Sequence, residues 1–189
     1  MNSFLASIGH VCLQWSLLEH TILFIIGMGE EMPAEKAYNR FAGLDMLPRL
    51  GMAISLAEEA KWPQRYTKRL RNIRKAIQSG LNDQRNLFVH GVHEATGVEG
   101  EFQLTMSRWK GERRCQIVTI LEASELAHQL SLLAQEAQGI FNDYGVWKFG
   151  TERYHNAFQQ PAQTKAALRL IRTQNINRGF KLIFTNLKP

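Results

Sequence analysis

Between residues 8 and 27 apolar side chains return every three or four positions: Ile8, Cys12, Trp15, Ile22 and Ile26, with Val11, Leu18 and Ile25 beside them. That is the helical period, and it puts these side chains on one stripe. The same spacing recurs over residues 46–60 (Leu47, Leu50, Ile54, Ala57). It returns in the long run that opens at Trp62-Pro63 (Tyr66, Leu70, Ile73, Ile77, Leu81, Phe88) and over 123–144 (Leu126, Leu130, Leu133, Ala137, Ile140, Tyr144). Segments of this kind with short connections predict a mainly α fold, a four- to five-helix up-and-down bundle. A shorter helix is expected over 33–42, opened by Pro33 and ended by Gly43. Gly80 falls inside the long helix, where glycine costs roughly 1 kcal/mol against alanine.

Two segments break the helical period. "EFQLTMSRW" and "RRCQIVTI" flank "KGE" and read as a β-hairpin over 101–108 and 113–120. After Tyr144, residues 145–189 carry eight Lys or Arg against one acid, Glu152, whereas the formal net charge of the whole chain is +6. The chain therefore divides by composition into a helical part, 1–144, and a basic C-terminal extension, 145–189. Within the extension, 161–173 reads as a further helix and 180–187 as a strand or extended arm. A second basic block, "KWPQRYTKRLRNIRK" at 61–75, has seven basic residues and no acid. Such asymmetry favours a polyanionic partner, RNA or DNA before a membrane. The most apolar run, "TILFIIGMG" at 21–29, is shorter than the roughly 20 residues that span a bilayer. No basic leader or cleavage site marks a signal peptide. Cys12 and Cys115 form no disulfide or zinc pattern, so the expected location is cytoplasmic.

The chemistry concentrates in "LNDQRNLFVHG", residues 81–91. Asn86 and His90 are four apart and share one helical face. Arg85 and His90 are five apart, about 140° around a regular helix. On that count they converge only if the helix end loosens at Gly91, or if two chains share the site. In the last turn the helix dipole favours imidazolium, which places the His90 pKa at or above its ordinary value of about 6.5. An imidazole titrating near neutrality moves protons both ways. A guanidinium beside it can grip a phosphate with two hydrogen bonds. These are the parts needed to cut RNA without a metal ion or cofactor. A base takes the 2′-OH proton, an acid protonates the leaving 5′-oxygen, and a cation stabilises the charged phosphorane.

"RNLFVHG" resembles the Arg-x4–6-His motif of the HEPN domains (higher eukaryotes and prokaryotes nucleotide-binding). In that family the motif lies near the end of a helix of a four- to five-helix bundle, and a polar residue often follows the arginine, as Asn86 does. The resemblance covers the helices between about 8 and 144. It implies a metal-independent endoribonuclease with Arg85, Asn86 and His90 as its catalytic residues. It also implies RNA as partner and substrate, and a homodimer that brings two motifs into one cleft. Many such proteins act as toxins or defence effectors, so an antitoxin or nucleotidyltransferase partner belongs to the expectation. One toxin branch has a modifiable tyrosine two positions past the histidine. Val92 stands there, and that regulation does not carry over. Other HEPN domains only bind, and a catalytically inactive RNA- or nucleotide-binding or protein-interaction module is the alternative.

Around this core the sequence offers supporting candidates. Glu19 interrupts the apolar stripe of the first helix, and a buried carboxylate requires a partner. Arg85 and His90 are candidates for that partner, as is a surface lysine. His93 is either a second acid/base or a loop residue, and with His90 it makes too sparse a pair for a metal site. Trp15 reads as core. For RNA contact the candidates are Arg65, Lys68 and Arg69 in the basic block, with Arg108, Trp109 and Lys110 at the hairpin turn, where the indole could stack on a base.

Overall fold

The structure is a computed structural model that describes residues 2–107 and 113–150. The hairpin turn with Arg108, Trp109 and Lys110, and the elements expected at 161–173 and 180–187, lie outside the described residues. The chain is mainly helical with one small antiparallel sheet. Helices α1 (Asn2–Gly29), α2 (Ala34–Phe41), α3 (Met46–Glu59) and α4 (Gln64–Ala76) come first. A wide π turn, Ile77–Leu81, leads from α4 into α5 (Asn82–His90). Strands β1 (Val92–Ala95), β2 (Glu101–Ser107) and β3 (Arg113–Thr119) follow, and α6 (Ile120–Phe149) comes last. One compact unit spans Met1–Tyr144, and a second begins at Gly145.

The stripes read from the sequence form the core. Val11, Leu18, Ile22, Ile26, Leu50, Leu70, Ile73 and Ile77 are all buried. Contacts between named residues fix the helix directions. Ser7 meets Ser124 at 3.1 Å and Phe24 meets Phe141 at 5.9 Å, so α1 and α6 run the same way. Tyr66 meets Tyr144 and Arg69 meets Glu136, so α4 runs against α6. Arg69 grips Glu136 through Nε at 2.6 Å and Nη2 at 3.1 Å, and reaches Asp143 through Nη1 at 2.9 Å.

Helix ends follow local chemistry. At the close of α1, the Met32 N–H donates to the Gly27 carbonyl and the Glu31 N–H to that of Met28. Trp62 and Lys61 do the same to Ala57 and Glu58 at the close of α3. Both are Schellman motifs, and their left-handed residues are Glu31 (φ 53°) and Lys61 (φ 52°) instead of glycine. Helix α6 starts at a capping box: the Glu122 N–H donates to Thr119 Oγ1, and the Thr119 N–H donates to Glu122 Oε2.

Besides the last helix, which runs Ile120–Phe149 instead of 123–144, four expectations change. The first helix begins at Asn2 instead of residue 8, because Phe4 extends the buried stripe and stacks on Phe102 at 3.8 Å. At 28 residues it is long and apolar enough to cross a membrane, although half of its apolar window is buried inside the fold. The long helix is not continuous: Gly80 sits at φ 119° within the π turn. Finally, residues 92–95 form a strand, which pairs His93 with Leu104 across from β2.

Candidate active site

Arg85, Asn86 and His90 meet within one chain. Arg85 Nη1 donates to Asn86 Oδ1 at 2.8 Å and lies 3.1 Å from His90 Nε2. The helix does not loosen to allow this. It stays regular through His90, and the Gly91 N–H still donates to the Leu87 carbonyl at 3.0 Å. The 140° offset is bridged by the length of the arginine side chain. Gly91 is required for another reason: a Cβ there would fall 2.4 Å from the Leu87 carbonyl oxygen.

The contact constrains protonation. A guanidinium nitrogen only donates, so His90 Nε2 must offer a lone pair, which assigns the neutral imidazole with its proton on Nδ1. Electrostatics agree. Partial burial of the imidazole lowers the His90 pKa from its ordinary value, and the Arg85 charge lowers it further. The expectation from the helix dipole was a pKa at or above the ordinary value. It fails because a neighbouring cation and lost hydration oppose the dipole.

Helix α1 supplies the seat for Arg85. The guanidinium carbon stands 5.0 Å from the centre of the Trp15 ring, and Trp15 itself is only 3% exposed. Beside it, burial raises the Cys12 thiol above its ordinary pKa, and the Arg85 charge pulls in the opposite direction. Arg85 Nε is buried without a hydrogen-bond partner. No acid among the described residues pairs with Arg85, so its charge is uncompensated and open to an anion. Trp15 was legible as core, but its contact with Arg85 was not.

The supporting residues are placed differently. Glu19 does not reach Arg85 or His90. It faces Arg49 at 3.6 Å, and buried Arg49 also donates to the Ala42 carbonyl at 2.6 Å. His93 is engaged elsewhere. Its Nε2 lies 2.9 Å from the Phe88 carbonyl and its ring stands edge-on to Phe4, so it braces the helix end. Arg69 is committed to Glu136 and Asp143. Arg65 folds onto Tyr66, with its guanidinium carbon 4.7 Å from the ring centre. Lys68 is exposed. Among the described residues, no group of three or more His, Cys, Asp or Glu could hold a metal ion.

No family model, curated protein or solved structure matches the chain.

Proposed function

We propose that the protein is a metal-independent HEPN-type endoribonuclease, built as an up-and-down bundle and acting in the cytoplasm as a toxin or defence effector. The observation that carries this reading is the 3.1 Å approach of Arg85 Nη1 to His90 Nε2. It joins an uncompensated guanidinium to a neutral imidazole at one exposed helix end. A scissile phosphate drawn to Arg85 takes over the hydrogen bond to His90 and releases the Nε2 lone pair, while the bond to Asn86 is kept. His90 then accepts the 2′-OH proton. The O2′–P bond forms, and the P–O5′ bond breaks with the electron pair on O5′. Arg85 stabilises the phosphorane charge, held in aim by Asn86 and Trp15. The leaving oxygen needs a proton from the opposite side of phosphorus, and His93 Nε2 is engaged with the Phe88 carbonyl. A second copy of the chain meets that need once the bound phosphate offsets its Arg85 charge and its own His90 takes up a proton from solvent; that imidazolium then protonates O5′, which accounts for a homodimer.

His90→Ala and Arg85→Ala should each abolish cleavage of single-stranded RNA while the helical circular dichroism is kept. Products should end in 2′,3′-cyclic phosphate, and EDTA should leave the rate unchanged. Cleavage that survives in His90→Ala, or that requires an added divalent ion, sinks the mechanism. One observation favours a second reading, a catalytically silent RNA-binding module: in the free protein Arg85 occupies the nitrogen that the base needs. Tight RNA binding that Arg85→Ala abolishes, with no cleavage by the wild type, establishes that reading instead.

A further inference from the structure

Helices α3 and α4 leave an open cleft of about 510 Å³ between them, lined by Gly51, Ile54, Ser55, Glu58, Arg71, Arg74 and Gln78. That volume falls within the range of small-ligand clefts, about 300–1,000 Å³. Its charge is unbalanced. The one acid in the lining, Glu58, is held by Arg71 at 2.6 Å. Arg74 has no acid and no hydrogen-bond partner among the described residues, and its Nε is buried. A buried donor on an unpaired cation costs stability unless something satisfies it. Gly51 keeps the facing wall bare: a Cβ there would stand 3.9 Å from Arg74 Nη1, its nearest neighbour. Ser55 and Gln78 add neutral polar groups. The arrangement suits an anion that brings several acceptor oxygens. Arg85 lies eleven residues further along the chain, beyond the π turn, in α5.

We propose that this cleft binds phosphate, and that the phosphate belongs to the backbone of the RNA strand flanking the bond at Arg85 and His90. The source of the phosphate rests on the ribonuclease reading; the anion site itself does not. Arg74 is the principal ligand, Arg71 the second through the nitrogens that Glu58 leaves free, and Gly51 forms the facing wall. Sequence reading located the basic block but ranked Arg65, Lys68 and Arg69 within it. The structure directs attention to Arg71 and Arg74, on the other side of α4.

The test uses the full chain carrying His90→Ala, so that RNA stays intact, and a fluorescent single-stranded RNA followed by anisotropy over a salt series. Arg74→Ala should weaken binding by about five- to tenfold and flatten the salt dependence by about 0.7 in the logarithmic slope, one phosphate's share for a single strand. Lys36→Ala removes one positive charge from the exposed side of α2 and should change neither. Gly51→Glu keeps Arg74 but offers it a carboxylate; it should weaken RNA binding as Arg74→Ala does, with no fall in melting temperature. Equal losses in Arg74→Ala and Lys36→Ala mean that only bulk charge matters, and the proposal fails. Inorganic phosphate separates the two sources. If it perturbs the Gly51, Ser55 and Gln78 amide resonances while Arg74→Ala leaves RNA affinity intact, the cleft serves a free anion and the strand assignment is overturned. In the otherwise wild-type enzyme Arg74→Ala should raise KM and spare kcat. If the wild type never cleaves RNA, the catalytic reading falls, yet the anisotropy result still decides the cleft.

Discussion

Replacing Gly80 with alanine should destabilise the protein, against the direction helix propensity gives. In a regular helix Gly→Ala gains about 1 kcal/mol. Gly80, however, sits at φ 119° and ψ −8°, a region that L side chains rarely adopt. Nothing lies within 4 Å of the place a Cβ would occupy, so neither a clash nor new packing enters. The backbone contribution then stands alone, at about 1–2 kcal/mol against alanine. For a chain of this size each kcal/mol moves the melting temperature by about 2–4 °C, so a fall of about 2–8 °C is expected. Asparagine accepts positive φ more readily, and Gly80→Asn should fall less. Thermal melts followed at 222 nm, with urea titrations as a second measure, give the ordering wild type above asparagine above alanine. If Gly80→Ala instead melts higher than wild type, the turn accepts right-handed geometry and the reasoning is refuted.

Two further outcomes follow from geometry already described. Because partial burial and Arg85 both lower the His90 pKa, its NMR titration and the acid limb of the cleavage rate should show a midpoint below about 6.5. The unfolded chain takes up this proton at higher pH than the folded one, so the His90 contribution to stability is full above the ordinary value and is lost as pH falls from there through the lowered folded value. Arg85→Ala should move the midpoint up only part of the way, since burial is the larger cause; a wild-type midpoint above 6.5 would falsify the assignment. Lys61→Gly removes a left-handed lysine from a Schellman motif and should raise stability by about 1 kcal/mol. A fall in the urea midpoint of Lys61→Gly would show that the lysine side chain supports the turn.

The legible parts of the chain are those whose signal is local and periodic. The buried stripes predicted where α1, α3, α4 and α6 lie, and "RNLFVHG" marked three side chains that the structure brings together. Glu19 was legible as a residue in need of a partner, but Arg49, thirty positions away, could not be singled out from the other cations. The strand at 92–95 carries no alternation, because all four residues are exposed and pairing with β2 defines them. The sign of φ at Gly80 leaves no trace in composition. The Thr119–Glu122 box does have a sequence signature, "TILE", and reading it would have started α6 at its observed end. The offset between Arg85 and His90 misled because it counted Cβ directions alone and not the reach of the guanidinium.

The seat of Arg85 on Trp15 also ties the site to a distant part of the chain. Asn86 and His90 belong to the same short helix as Arg85, so their mutual contacts form with almost no chain to close. Trp15 lies seventy positions earlier, and reaching it means closing a long loop with its entropy cost. A helix of nine residues is marginal alone in water, so the pair itself persists only when the bundle holds α5. The docking of α1 supplies the Trp15 face that aims Arg85. Integrity of the first helix is thus the check that separates a chain able to gather these groups from one able to point them.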